Sequence, residues 1–267
     1  MSQAAEISAT LSPGAALPLY EQPLNERMRT FLRLEFLYRQ LCYQAEKNSA
    51  WASRNAIDGL LDIVAILSRG DVRGDVLKEL ERQLFVLERL QQAEDIDAAR
   101  LRSVTRKLQE LRGNLSAIGP KYLQELKDNE FLNAIRHRSS IPGGTCAFDI
   151  PEYTHWLRQN IERRRHDVAA WLEVVRPLCD AVMGLLWIIR NSKQPSKRIA
   201  TAGVYQHSMN RETINGLIRI TLPEGTELYP EISGSQHRFS VRFMQWHTGE
   251  PRPSQSAEDI EFELTIC

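Results

Sequence analysis

Two leucine-rich seams place the firmest constraint on how this chain folds. Leu77, Leu80, Leu84 and Leu87 recur with 3-4-3 spacing, and Leu101, Val104, Leu108 and Leu111 repeat the interval. That spacing brings each set to one side of a helix, so two helices each present a single apolar stripe. The polar stretch from Gln91 to Ala98 between them can turn the chain. The segment therefore predicts an antiparallel helical hairpin. Its seams either pack on each other within the chain or form the seam of a dimer.

The neighbouring segments are also helical. Residues 1–19 are rich in Ala, Ser and Pro without an apolar period and read as a disordered arm. From Leu24 to about Lys47, apolar residues recur at Leu24, Met28, Phe31, Leu32, Leu34, Phe36, Leu37, Tyr38, Leu41 and Cys42. This stripe is wider than that of a surface helix, so more than one face of the helix is expected to be covered. A second helix is expected from Ser49 to Arg69, with Gly70 as its left-handed cap and Asp71 capping the next. Shorter helices fit between Pro120 and Arg138, and the segment IPGGTCAFDIP then breaks the pattern. Within it, Phe148 and Ile150 alternate like a short strand. Helix returns near Glu152 and again from about Arg165 to Asn191, where Pro177 predicts a kink.

After Ser192 the period changes to two. Ile218, Ile220 and Leu222 alternate with Arg219 and Thr221. Phe239, Val241 and Phe243 alternate with polar neighbours and Met244, and Ile260, Phe262, Leu264 and Ile266 do the same. Three such runs predict an antiparallel sheet with one dry and one wet face. Helices followed by strands make the fold class α+β. The expected domains are a mainly helical one over residues 20–192 and a β-strand domain over 193–267, with residues 145–150 as a candidate added strand.

Composition narrows the function. Lys+Arg and Asp+Glu both number 34 in 267 residues, so the whole molecule attracts neither nucleic acid nor anionic lipid, and recognition must use local patches. No apolar run reaches the roughly 18–20 residues that span a bilayer. The first residues lack the positive start of a secretory signal, which predicts a cytoplasmic protein. Cys42, Cys146, Cys179 and Cys267 are scattered, and His137, His155, His166, His207, His237 and His247 are dispersed. Neither pattern has metal-ligand spacing, so no metal and no cofactor are expected. No signature sets a nucleophile beside a base, and the chain is not expected to be an enzyme.

Basic patches are the remaining signal. Arg238 and Arg242 share the wet face of one strand, about 13–14 Å apart at 3.4 Å per residue. They could grip an extended acidic peptide at two points, or pair with Glu261 and Glu263 across the sheet. Arg69 and Arg73 flank a helix break, where guanidiniums are open to carboxylates. Arg29 and Arg33 lie four apart on one helix face. Arg163, Arg164 and Arg165 stand at a helix start, either as a solvated face or as a nucleic-acid contact.

The blocks YEQPLNERMRTFLRLEFL, RGDVRGDVLKELERQ, SSIPGGTCAFDIP followed by HWL, LYPEISG, RFSVRFM and FEL, running in this order from Tyr20 to Cys267, resemble the ZapD family of cell-division proteins. The resemblance implies a helical domain followed by a β domain, and a homodimer that recognises the C-terminal tail of the tubulin-like GTPase FtsZ. It implies bundling of FtsZ filaments during assembly of the division ring at mid-cell. It also implies tail-binding residues among Arg238 and Arg242, with Phe243 and Met244 as apolar neighbours and His237, Arg69, Arg73, Arg29 and Arg33 assisting. The alternative is a nucleic-acid-binding adaptor built on Arg163–Arg165.

Overall fold

In a computed structural model that describes residues 19–90, 97–210 and 215–267, a first strand β1 (Leu19–Pro23) leads into helices α1 (Glu26–Ala45), α2 (Ala50–Ser68), α3 (Val72–Leu90) and α4 (Ala98–Ala117). Their ends follow local chemistry. The Ser49 hydroxyl accepts from the Trp51 N–H, and the Asp71 carboxylate accepts from the Gly74 N–H at 2.9 Å. Asp97 accepts from the N–H groups of Ala99 and Arg100, and these bonds hold its carboxyl below the usual range. Gly70 departs from expectation. Helix α2 ends on Arg69 in the right-handed region, and Gly70 is not left-handed, because Asp71 starts the next helix at once.

The two seams pack together. Val76, Leu80, Leu84 and Leu87 are buried on α3, as are Leu101, Leu108, Leu111 and Leu115 on α4. Leu77 and Val104 are only half-buried, because a straight helix of 3.6 residues per turn drifts off a strict 3.5-residue repeat. The pair is antiparallel. Arg73 at the start of α3 donates to the carbonyls of Leu115 and Ser116 at the end of α4, both at 3.3 Å. The expected turn at 91–98 lies mostly outside the described residues, as do residues 1–18 of the expected arm over 1–19, whose last residue, Leu19, opens β1.

Further helices are α5 (Gln124–Asp128), α6 (Glu130–Ser139), α7 (Pro151–Leu157) and α8 (Ile161–Arg190), the last of which runs through Pro177. Residues 145–150 are turns, not a strand: Phe148 is 84% exposed, and Ile150 is buried at the start of α7. The segment is tied down by Arg54, which donates to the Thr145 carbonyl at 3.0 Å and lies over the Tyr153 ring. Residues 33–186 form one unit around these helices.

Of the described residues, 19–32 and those from 187 onward make up the other unit. The expected β domain thus also takes in β1, which sequence periodicity did not reveal. Its remaining strands are β2 (Ser196–Ala200), β3 (Val204–Ser208), β4 (Leu217–Thr221), β5 (Leu228–Gly234), β6 (Arg238–Gln245), β7 (Ser254–Gln255) and β8 (Ile260–Ile266). They form two antiparallel sheets where alternation alone suggested one. Their orders are β1-β4-β8-β2 and β3-β6-β5, with β7 pairing β6. Ile218, Ile220, Phe262 and Leu264 from the first sheet share a core with Phe239, Val241 and Phe243 from the second.

The turn from β2 to β3 needs its glycine. Gly203 has φ +71° and sits so close to the Ser256 carbonyl that a Cβ would collide with it. On the opposite face of the first sheet, Glu21 on β1 accepts from Arg190 at 2.6 Å and from Arg219 at 3.1 Å. All three side chains are about four-fifths buried. Among the described residues no helix is long and apolar enough to cross a membrane.

Candidate functional site

The outward face of β6 carries Arg238, Ser240 and Arg242 because strand alternation sends Phe239, Val241 and Phe243 into the core. Strand register sets their neighbours. Arg238 stands opposite Ser208, Ser240 lies between Gln206 and Ser233, and Arg242 lies between Val204 and Glu231. The face is polar, hydrogen-bonding and predominantly cationic. Both arginines are exposed. Arg242 bonds the Glu231 carboxylate at 2.9 Å, whereas Arg238 makes no ion pair among the described residues. His237, also exposed, sits in the turn leading into β6.

Glu261 and Glu263, the alternative cross-strand partners of these arginines, stand instead on β8 in the other sheet, opposite Ile199 and Lys197. The apolar neighbours also differ from expectation. Phe243 is fully buried, and Met244, flanked by Tyr229 and Gln255, is 8% exposed. Phe243 belongs to the core between the sheets, whereas Met244 lies on the outer face and is covered there by its strand neighbours. Trp246, one residue past β6 and 59% exposed, is the large apolar side chain available there. Sequence reasoning missed both Trp246 and Glu231. The hairpin register that pairs Gly234 with Phe239 would have placed Glu231 opposite Arg242.

The other candidate arginines lie on α1 and around the start of α3. Arg29 pairs with Glu26 at 3.3 Å, and Arg33, one turn on, is exposed without an ion pair among the described residues. Arg69 is exposed at the end of α2. Arg73 is held by the α4 carbonyls, a position that a helix C-terminus favours for a cation. It borders a cavity of about 290 Å³ lined also by Asp71, Lys121, Tyr122 and Lys127. Burial pushes the Tyr122 hydroxyl up to about 12, so it stays a neutral donor.

The Arg163–Arg165 cluster does not present three open cations. Arg163 pairs with Asp167 at 3.4 Å, and Arg165 donates to the Glu46 carbonyl at 2.6 Å. Arg164 is buried and donates to the Ser53 hydroxyl at 2.8 Å. Arg164 is thereby withdrawn from the surface, and the nucleic-acid alternative is left with Arg163 and Arg165, both exposed and each already engaged within the chain. Buried titratable groups are found elsewhere in the helical unit. The Tyr38 hydroxyl donates to Asp180 at 2.9 Å, and burial raises both pKa values. Cys179 beside them is fully buried with its thiol pushed up, and so is an inert packing residue.

Comparison with known proteins identifies the family. Residues 32–242 match the family model described as ZapD, cell division protein. The chain is 37% identical over 253 residues to a cell division protein ZapD of Methylococcus capsulatus, covering 93% of this chain and 97% of the relative. It is 40% identical over 250 residues to one of Ralstonia pickettii, covering 93% and 98%. It is 36% identical over 248 residues to one of Chromobacterium violaceum, with the same coverage. With the family model matching residues 32–242 and the similarity to these relatives spanning nearly the whole chain, this protein belongs to the ZapD family of cell-division proteins.

Proposed function

We propose that this protein binds the C-terminal tail of FtsZ and, as a homodimer, cross-links FtsZ filaments to promote assembly of the division ring at mid-cell in the cytoplasm. The observation that carries this reading is the pair Arg238 and Arg242, both exposed on one strand about 13–14 Å apart. Arg238, without an ion pair among the described residues, can meet a carboxylate directly, while Arg242 must first exchange Glu231 for one. Each can hold a carboxylate in a two-pronged, charge-assisted geometry. Trp246 and the half-buried Tyr229 supply the apolar contact that Phe243 and Met244, being buried, do not. His237, Arg69, Arg29 and Arg33 are exposed auxiliaries, and Arg73 joins them only with those donors not already committed to α4.

The role requires no catalytic group and no cofactor. Two equivalent tail sites on one symmetric dimer would bridge filaments by avidity. A helical dimer seam is supported by Phe85, Val86 and Leu90 on α3, which lie exposed at 59%, 39% and 40%. The test is co-sedimentation with FtsZ polymers, using full-length and tail-deleted FtsZ, alongside light scattering of the protein alone. Bundles and co-pelleting are expected only with the tail present, and a mass twice the 30.6 kDa of the chain is expected. Equal pelleting of tail-deleted polymers overturns the tail reading. A monomer at micromolar concentration overturns the bivalent one.

A further inference from the structure

Helix α1 has an outward face that a helix exposed to water does not need. Arg33, Phe36, Gln40, Tyr43 and Lys47 follow one another at 3-4-3-4 spacing, on the side opposite the buried Leu34, Tyr38 and Leu41. Phe36 is 66% exposed and Tyr43 50%. The Lys47 ammonium, on the turn that continues the helix, rests 4.2 Å from the centroid of the Tyr43 ring. The outward face of an amphipathic helix is ordinarily polar, and 3-4-3-4 spacing is the seam along which a second helix packs. Here the seam has two aromatic knobs at its centre and a cation at each end.

The charges decide what can cover it. A second copy laid antiparallel about Gln40 would set Arg33 against Lys47, and a parallel copy would set each cation against itself. Either arrangement opposes like charges. No carboxylate lies within the seam. Glu35 is buried and pairs with Arg39 at 2.9 Å, and Glu46 falls about 100° round the helix.

We infer that this face of α1 receives an acidic amphipathic helix from another protein. The bound helix would place two apolar side chains about 10 Å apart against Phe36 and Tyr43. Its carboxylates, about 21 Å apart, would meet Arg33 and Lys47. The inference goes beyond the β6 reading, since it concerns a different surface with its own chemistry. Arg33, an auxiliary in that reading, has a defined role in this one.

The test uses a synthetic fluorescein-labelled peptide of 21 residues. Leu occupies the positions facing Phe36 and Tyr43, Glu those facing Arg33 and Lys47, and Ala and Gln the remainder. A scrambled peptide of the same composition is the control. Fluorescence anisotropy with the full chain is expected to show saturable binding of the designed peptide only. The double variants Phe36→Ser/Tyr43→Ser and Arg33→Glu/Lys47→Glu are each expected to weaken it at least tenfold. The variant Arg238→Glu/Arg242→Glu is expected to leave it unchanged, which separates this inference from the tail site. Circular dichroism like that of the parent checks that the exposed substitutions leave the fold intact. Equal binding of the scrambled peptide, or parental binding by both α1 variants, overturns the inference. So does conversion of a dimer to a monomer by Phe36→Ser/Tyr43→Ser in sedimentation velocity, because the face would then join two copies of this chain.

Discussion

Glu231 holds the guanidinium of Arg242 at 2.9 Å from the directly opposite position on the neighbouring strand. Both side chains are about half exposed, so the pair stabilises the fold by only about 0.2–1 kcal/mol. Its larger effect is on recognition, because Glu231 occupies the guanidinium that an acidic ligand would need. Glu231→Gln is therefore expected to tighten binding of an FtsZ tail peptide about two- to fivefold, with little change in thermal stability. Calorimetric titration checks this, and unchanged or weaker binding means that Arg242 does not meet the ligand.

Arg238→Glu and Arg242→Glu should each lose a charge-assisted contact worth about 1.5–3 kcal/mol and add repulsion. Neither should alter the fold, since both side chains face solvent. A dimer carrying one intact and one Arg242→Glu subunit should bind peptide at half stoichiometry and bundle poorly. Full bundling by such a one-site dimer, seen by pelleting or electron microscopy, would point to contacts along the filament body.

Arg73 is expected to behave as a structural residue first. Arg73→Ala removes the donors to the Leu115 and Ser116 carbonyls and should destabilise the helical unit by about 1 kcal/mol. Urea unfolding measures this. Lost peptide binding at unchanged stability would instead place Arg73 in the recognition site.

Asp180 should make stability depend on pH. Burial raises its pKa against the opposing pull of the Tyr38 hydrogen bond, Arg176 and Lys107, with Glu173 adding to the rise. A carboxyl with a raised folded pKa keeps its proton longer in the folded chain. Its favourable contribution is present below the unfolded pKa and is lost as pH rises through the folded one. Asp180→Asn keeps an acceptor for Tyr38 and removes the buried charge, so its urea midpoint should exceed the parent's near neutral pH. The gap should close in acid, and a constant gap across pH would mean that burial of the charge is not the cause.

The helices were largely legible because each carries its own signal. Ser49, Asp71 and Asp97 cap them, and the leucine seams show which sides are buried. Strand β1 was not, because LYEQP sets its two apolar side chains next to each other, without alternation, and ends in a proline, so it is defined only by pairing with β4. Alternation showed that Arg238 and Arg242 share a face. It could not show which strand lies alongside, so Glu261 and Glu263 stood as candidate partners where Glu231 is found. Met244 was misjudged for a related reason: alternation puts it on the outer face, but Tyr229 and Gln255 flank it there. The Arg163–Arg165 run read as open surface, although its three side chains bond Asp167, Ser53 and the Glu46 carbonyl.

Strand β1 has a consequence for how the chain matures. Its partner β4 lies beyond the whole helical unit of residues 33–186, so Leu19 finds Thr221 only after that unit has been synthesised. On a ribosome the helices can close first through nearby contacts, while Tyr20 and Glu21 wait for a sheet that does not yet exist. Arg190 emerges before Arg219, which makes Arg190 the earlier of the two cations able to engage Glu21. The β unit is thus expected to form late and slowly, and nascent chains stalled before residue 217 should leave residues 19–23 open to protease while the helical hairpin is already protected.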